Sequence, residues 1–290
     1  MAIKTRALHP AFGLEVIGGS LAEFSQDDAA IAELRRLWQE HAVLVFRRQA
    51  LSEDEMVAFT ARFGVCEIVS RADIQSPFRP EIIYFSTLRY SDGRTVGGFA
   101  GGEEVDWHSD QTFRPNPATG ALLYGVEVPP RGGKFYWANQ YLAFESLPPG
   151  VRQAIDGRQG RYSYAKRLGI FKASELSSQM EELKRQHPDV THPLVLTHPR
   201  TGRKALYADP STLVAIEGLD EAENAKILPL LTRASMAPEV VCEHTMTTGD
   251  VLMWDNGCVM HRRDPVDPLH ARLMKRTTWR VPREEHCLPH

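Results

Sequence analysis

Cysteine is scarce in this chain: Cys66, Cys242, Cys258 and Cys287 are the only four in 290 residues, and no two form a C-x-x-C pair. That count excludes a disulfide framework and a cysteine-based zinc site, and it points to free thiols in a reducing compartment. No run of 18 apolar residues occurs, and Met1-Ala2-Ile3-Lys4-Thr5-Arg6 lacks the apolar core of a signal segment. Neither a membrane span nor secretion is expected, which places the chain in the cytoplasm. Charge of one sign is also missing. Lys and Arg number 34 against 37 Asp and Glu, a net charge of −3, so no electrostatic case exists for nucleic acid or an acidic membrane as partner. Internal repeats and low-complexity linkers are absent. What remains is ordinary globular composition, 42% hydrophobic and 24% charged, expected to form a single domain over residues 1–290.

Apolar residues at helical spacing (Ile31, Leu34, Leu37) predict a helix over Asp27 to Glu40, followed by a continuous apolar strand, Ala42-Val43-Leu44-Val45-Phe46. Ser52 with Glu55 three residues later is a capping box, opening a second helix that runs towards Gly64. Short strands punctuated by turn residues then follow: Ala121 to Val128, Phe135 to Ala138, Leu194 to Thr197, Lys204 to Tyr207 and Val251 to Trp254. Many short strands with Pro and Gly between them predict a mainly β fold with flanking helices and a double-sheet jelly-roll core. The stretch 66–106 contains Gly97-Gly98-Phe99-Ala100-Gly101-Gly102 and reads as a lid in preference to a fixed turn. The polar stretch Lys172 to Gln186 is expected to be an exposed helical insertion near the site mouth.

The informative constellation is His108-Ser109-Asp110, with His261 151 residues after the aspartate. Two imidazoles and one carboxylate can occupy one face of an Fe(II) octahedron and leave three positions open. Alternation along a strand would aim His108 and Asp110 at one ion and turn Ser109 away. H-x-D alone is a generic pattern, and a lone histidine is more often structural. The neighbourhood adds weight: Gly249-Asp250-Val251-Leu252-Met253-Trp254 leads a buried strand towards His261. Arg272 and Arg276, four apart, share a strand face with Met274 between them. Two arginines directed into one interior are costly without anionic partners, which argues for bound carboxylates.

With these residues goes a family resemblance. Val43-Leu44-Val45-Phe46-Arg47, Phe63-Gly64, Trp107 to Phe113, Pro130-Arg131-Gly132-Gly133, His192 to Val195, Thr201 to Lys204, Trp254-Asp255-Asn256 and the arginine segment occur in order. Together they resemble the Fe(II)/2-oxoglutarate-dependent dioxygenases of the taurine dioxygenase and 2,4-dichlorophenoxyacetate dioxygenase family, from about Leu14 to Arg280. The resemblance implies that His108, Asp110 and His261 ligate iron. It also implies that Arg272 pairs with the distal carboxylate of 2-oxoglutarate, and that Arg276 lies near the cosubstrate's C1 end and the substrate's anionic group. The implied reaction consumes O2 and 2-oxoglutarate, releases succinate and CO2, and oxidises a C–H bond of a small organic molecule, most often by hydroxylation; halogenating relatives lack the carboxylate that Asp110 supplies. Desaturation or another rearrangement in natural-product tailoring is the alternative outcome.

One position departs from that pattern. The family usually has a threonine two residues after the Gly-Gly pair, bonding the distal carboxylate, and here Phe135 stands there. A phenyl ring cannot donate that bond, so either Lys134 or Thr277 replaces it or Arg272 holds the carboxylate with less help. Gln111 and Thr112 are expected to face the open coordination side, and Arg71 and Arg114 are weaker candidates for an anionic substrate. Arg262 and Arg263 are expected to be solvated or to act from behind the site in preference to clamping substrate, His192, His198 and His244 to be structural, and His270, His286 and His290 to contact solvent. Asn256 is expected to orient its neighbours through its amide. A zinc hydrolase on a β-barrel and a non-catalytic ligand-binding jelly roll are the other classes. The first lacks an identifiable general base, the second leaves the arginines unused, and whether copies of the chain associate stays open.

Overall fold

The computed structural model describes residues 3–69, 72–98, 102–169, 185–287 and 289. Its largest sheet runs, in spatial order, Lys4–Ala7, Leu14–Ile17, Val43–Phe46, Val251–Asp255, Gly120–Glu127, Leu273–Arg280 and Val65–Cys66, with Ile83–Ser86 also on Leu273–Arg280. A smaller sheet runs Val241–His244, Phe135–Asn139, Val259–Arg263 and Val105–His108, all antiparallel. One core joins the two: Val43, Val45, Leu123, Leu252, Trp254 and Met274 of the large sheet pack with Phe135, Trp137, Cys242 and Val259 of the small one. Two facing sheets around that core, antiparallel except where Leu14–Ile17 runs parallel to Val43–Phe46, form the double-stranded jelly roll.

The outer face of the large sheet is covered as well. Leu44, Phe46, Leu122, Met253 and Trp279 pack beneath helices Asp28–His41 and Glu53–Ala61, through Ile31, Leu34, Leu37, Met56 and Phe59. Burial on both faces is why Val43 to Phe46 reads as a continuous apolar run. Both helices are capped, the second as the sequence predicts. Asp27 accepts from Ala29 and Ala30 N–H at 2.9 and 3.1 Å, and Ser52 with Glu55 forms the capping box.

The structure departs from the sequence reading in two places. Helix Glu221–Ser235 was not foreseen, because Pro229 lies inside it and its exposed face is polar, although its capping box Asp220/Glu223 was readable. Within 66–106, the part read as a lid, Ile83–Ser86 pairs along Leu273–Arg276, and Ile74 and Ile82 are buried, so that portion is anchored to the large sheet. Gly97 has φ +79°, and a Cβ there would lie 2.6 Å from the Tyr84 carbonyl, so Gly97-Gly98 is a turn clamped on that strand. Residues 99–101 and most of Lys172–Gln186 lie outside the described residues, as does Arg71. Among the described residues, no helix is long and apolar enough to cross a membrane.

Candidate active site

The small sheet carries the histidines. His261 lies in the middle of Val259–Arg263, directly opposite His108 at the end of Val105–His108, and the ring centroids are 4.2 Å apart. The sequence placed His261 after a strand; it sits instead on the next one, reached by the turn through Asn256 and Gly257. Asp110 is not on a strand. It begins a turn whose next residue, Gln111, has φ +61°, so strand alternation is not what aims it. Asp209 holds the turn instead: its carboxylate accepts from Ser109 N–H at 3.3 Å and from the Thr112 hydroxyl at 2.8 Å. On the far side Ser109 donates to the Asn256 carbonyl at 2.6 Å, so Ser109 faces away as expected.

The result is one buried cluster. One ligand atom from each of His108, Asp110 and His261 lies within 4.8 Å of the other two, and Asp110 Oδ1 is 3.8 Å from Nε2 of both histidines. His108 Nδ1 meets the Asp106 carbonyl at 2.7 Å. A carbonyl only accepts, so Nδ1 carries the proton and the Nε2 lone pair is left for a cation. Burial pushes the pKa of His261 down to about 4 and that of His108 well below its ordinary value, so both rings are neutral. Burial alone would raise Asp110, but the Arg276 guanidinium bonded to it outweighs burial and holds it an anion. Two neutral imidazoles and a carboxylate around one point are the donor set that suits Fe(II) with open positions.

Both arginines reach the interior. Arg276 donates to Asp110 Oδ2 and its guanidinium lies 5.4 Å from the Trp254 ring, which in turn packs 4.8 Å from His261. Arg272 is 3% exposed, and its Nε and Nη1 find no partner among the described residues. Burial, with Arg263 nearby, lowers its pKa to about 9. A buried cation with two unmet donors fits a carboxylate ligand.

Several site expectations fail. Thr112 is fully buried with its hydroxyl shared between Asp209 and Thr212, so it faces away from the metal cluster. The Gln111 amide is tied at both ends, donating to Glu67 and accepting from Arg280. Neither stand-in for the family threonine holds: Lys134 turns outward to Glu243, and the Thr277 hydroxyl bonds Thr60 on the opposite face of its strand. Arg114 pairs with Glu67 at 2.7 Å. Arg263 is 5% exposed rather than solvated, and His286 is a core residue, stacked on Trp38 and 2.5 Å from Asp255. His192 and His244 are structural as expected, bonding Thr112 O and Asp250, and Asn256 accepts from Trp254. Sequence reasoning missed Asp209, and also Arg167, whose charge bears on all three cluster residues from helix Tyr164–Gly169. No local pattern marks either one.

The family profile described as "Taurine catabolism dioxygenase TauD, TfdA family" matches residues 4–278. The chain belongs to this TauD/TfdA family. It is 32% identical over 290 residues to the alpha-ketoglutarate-dependent 2,4-dichlorophenoxyacetate dioxygenase of Cupriavidus pinatubonensis, covering 96% of this chain and 98% of that one. It is also 32% identical over 287 residues to pentalenolactone F synthase of Streptomyces avermitilis, covering 94% and 92%. Among solved structures, AAD-2 in complex with Mn(II) and N-oxalylglycine matches with TM-score 0.79 at 28% identity, over 96% of this chain and 97% of that one. This TauD/TfdA member is a non-haem Fe(II)/2-oxoglutarate-dependent dioxygenase.

Proposed function

We propose that His108, Asp110 and His261 hold the iron, that Arg272 receives the distal carboxylate of 2-oxoglutarate, and that the enzyme hydroxylates a C–H bond of a small anionic molecule. The observation that carries this reading is the convergence of the three buried ligand atoms, with Asp110 divided between two tasks. Its Oδ1 faces the histidine nitrogens, while Arg276 grips Oδ2 and fixes the carboxylate plane. When bound, the iron and 2-oxoglutarate supply the activation of O2, with succinate and CO2 as coproducts. The chain's own residues position and insulate. Trp254 walls one side of His261, and the buried interior keeps bulk water from the reacting centre.

An anionic substrate is supported by the local charge. Arg276 and Arg167 both act electrostatically on the cluster, and the Nε of Arg276 has no partner among the described residues. Relatives named for 2,4-dichlorophenoxyacetate and (S)-phenoxypropionate point the same way. The equally similar pentalenolactone F synthase favours natural-product tailoring as the second reading. We read the chain as one cytoplasmic domain, in keeping with its four free cysteines, and leave association of copies to light scattering.

The test is Mn(II) binding and succinate formation across aryloxyalkanoates, alkyl sulfonates and lactone natural products. Alanine at His108, Asp110 or His261 should abolish both readouts while the circular dichroism spectrum is kept. Full succinate formation by Asp110→Ala would sink the ligand assignment. Turnover confined to neutral or cationic compounds would sink the anionic one.

A further inference from the structure

Arg263 and Arg272 are the two buried arginines among the described residues, 5% and 3% exposed, and neither has a carboxylate within ion-pair distance there. Arg263 donates from Nη1 to the Asp264 carbonyl at 2.7 Å and from Nη2 to the Glu103 carbonyl at 2.6 Å. Those acceptors are neutral, so they orient the guanidinium without cancelling its charge. Glu103 and Glu104 are exposed, and Asp264 is engaged by Tyr136 and Arg262. Arg272, for its part, keeps Nε and Nη1 unpartnered.

Register brings Arg263 into the interior. It lies two residues beyond His261 on Val259–Arg263 and pairs directly with Phe135, as His261 pairs with Trp137. Cross-strand partners share a face, so Arg263, Phe135, Trp137 and His261 point the same way. Gly132 and Gly133, with φ +79° and +65°, let the preceding turn close on Pro265, and Asp264 N–H bonds the Lys134 carbonyl at 3.0 Å, which fixes that register. Arg263 is also the charge that, after burial, most lowers the pKa of Arg272. The charge of one buried guanidinium thus bears on the other; Glu103, Asp264 and Glu104 act on Arg263, while Arg272 has no such carboxylate acting on it among the described residues. Such a pair is costly unless a carboxylate bridges it.

We propose that Arg263 is a second guanidinium for the distal carboxylate of 2-oxoglutarate, acting beside Arg272 and making the site select 2-oxo diacids. The inference rests on the reading of Arg272 given above. It also accounts for Phe135. Arg263, reaching past that ring from the facing strand, brings the donor that a phenyl group lacks. A purely structural role would have Arg263 pin the Glu103 carbonyl, in the lead-in to the His108 strand, to its own strand end at Asp264, and nothing more.

Calorimetric titration of the Mn(II)-loaded protein separates the two roles. Two ligands are compared: 2-oxoglutarate, and 2-oxobutyrate, which has the same 2-oxo acid head and no distal carboxylate. Arg263→Gln should weaken 2-oxoglutarate about tenfold or more, leave 2-oxobutyrate within about twofold, and leave Mn(II) binding unchanged. Arg263→Lys, which keeps the charge and is the more conservative variant if Arg263→Gln folds poorly, should fall between. Equal loss of both ligands, or loss of Mn(II), assigns Arg263 to holding the metal strand and overturns the proposal, as does no loss at all. Arg272→Gln is run alongside. If it leaves 2-oxoglutarate binding intact while Arg263→Gln weakens it, the reading of Arg272 fails and that of Arg263 stands.

Discussion

Arg272 is the residue at which a sequence inference and a physical cost coincide. Its guanidinium is enclosed, with two N–H groups unmet, so a carboxylate arriving there gains a charge-assisted pair and relieves an unsatisfied cation. Arg272→Ala should weaken 2-oxoglutarate by about 2–5 kcal/mol, which is about 30-fold or more, with Mn(II) affinity unchanged. Titration with 2-oxoglutarate checks this, and an unaltered constant would reassign the arginine. At this scale His108, Asp110, His261, Arg272 and Arg276 were legible, because each stands in a short pattern whose chemistry is local. Asp209 and Arg263 were not. Asp209 acts on Ser109 and Thr112 across about 100 positions of chain, and Arg263 depends on which residue it faces across a strand pair. Thr112 misled for a related reason: adjacency to Asp110 says nothing of direction once the strand has ended in a turn.

At the scale of elements, Glu67 binds three of them. It lies just past strand Val65–Cys66 and is 8% exposed. It accepts from Gln111 and Arg114 of the turn after the metal motif, and from Thr278 and Arg280 of the last strand, at 2.7 to 3.1 Å. Glu67→Ala strands these donors and should lower unfolding free energy by about 2–4 kcal/mol, read from the urea midpoint at unchanged slope. A loss below about 0.5 kcal/mol would mean that water replaces the carboxylate freely. Elements with strong local signals were read to within a residue or two, as with Asp28–His41 and Glu53–Ala61, whose caps and periodicity agree. Lys4–Ala7 carried no signal, since all four of its residues are exposed and its pairing with Leu14–Ile17 is what makes it a strand. Glycine marks both hinges and tight turns, and at Gly97-Gly98 only the proximity of Tyr84 tells them apart.

At the scale of the whole molecule, acid should act through His198. Its Nδ1 accepts from Arg200 and Thr201 N–H at 3.2 and 3.3 Å, so protonation would break both bonds. Burial first, then His286, lowers its pKa to about 4. The unfolded chain, with a histidine near 6.5, therefore binds the proton more readily than the folded one between those values. Stability contributed by neutral His198 is complete above about 6.5 and is lost as pH falls from there through about 4. Denaturant titrations over that range should show the decline, to which the buried His108 and His261 also contribute, and His198→Asn, which keeps an acceptor that cannot be charged, should make it shallower. An identical slope in that variant would exonerate the histidine. The four cysteines have a further consequence. Burial raises the pKa of Cys66 and Cys242 to about 11, and those of Cys258 and Cys287 well above the ordinary value, so at neutral pH none offers the thiolate that alkylating agents attack. The native molecule should resist iodoacetamide, and storage should need no reducing agent. Label should then enter Cys242, Cys258 and Cys287 only when a molecule opens, which turns three silent sulfurs into a clock for unfolding.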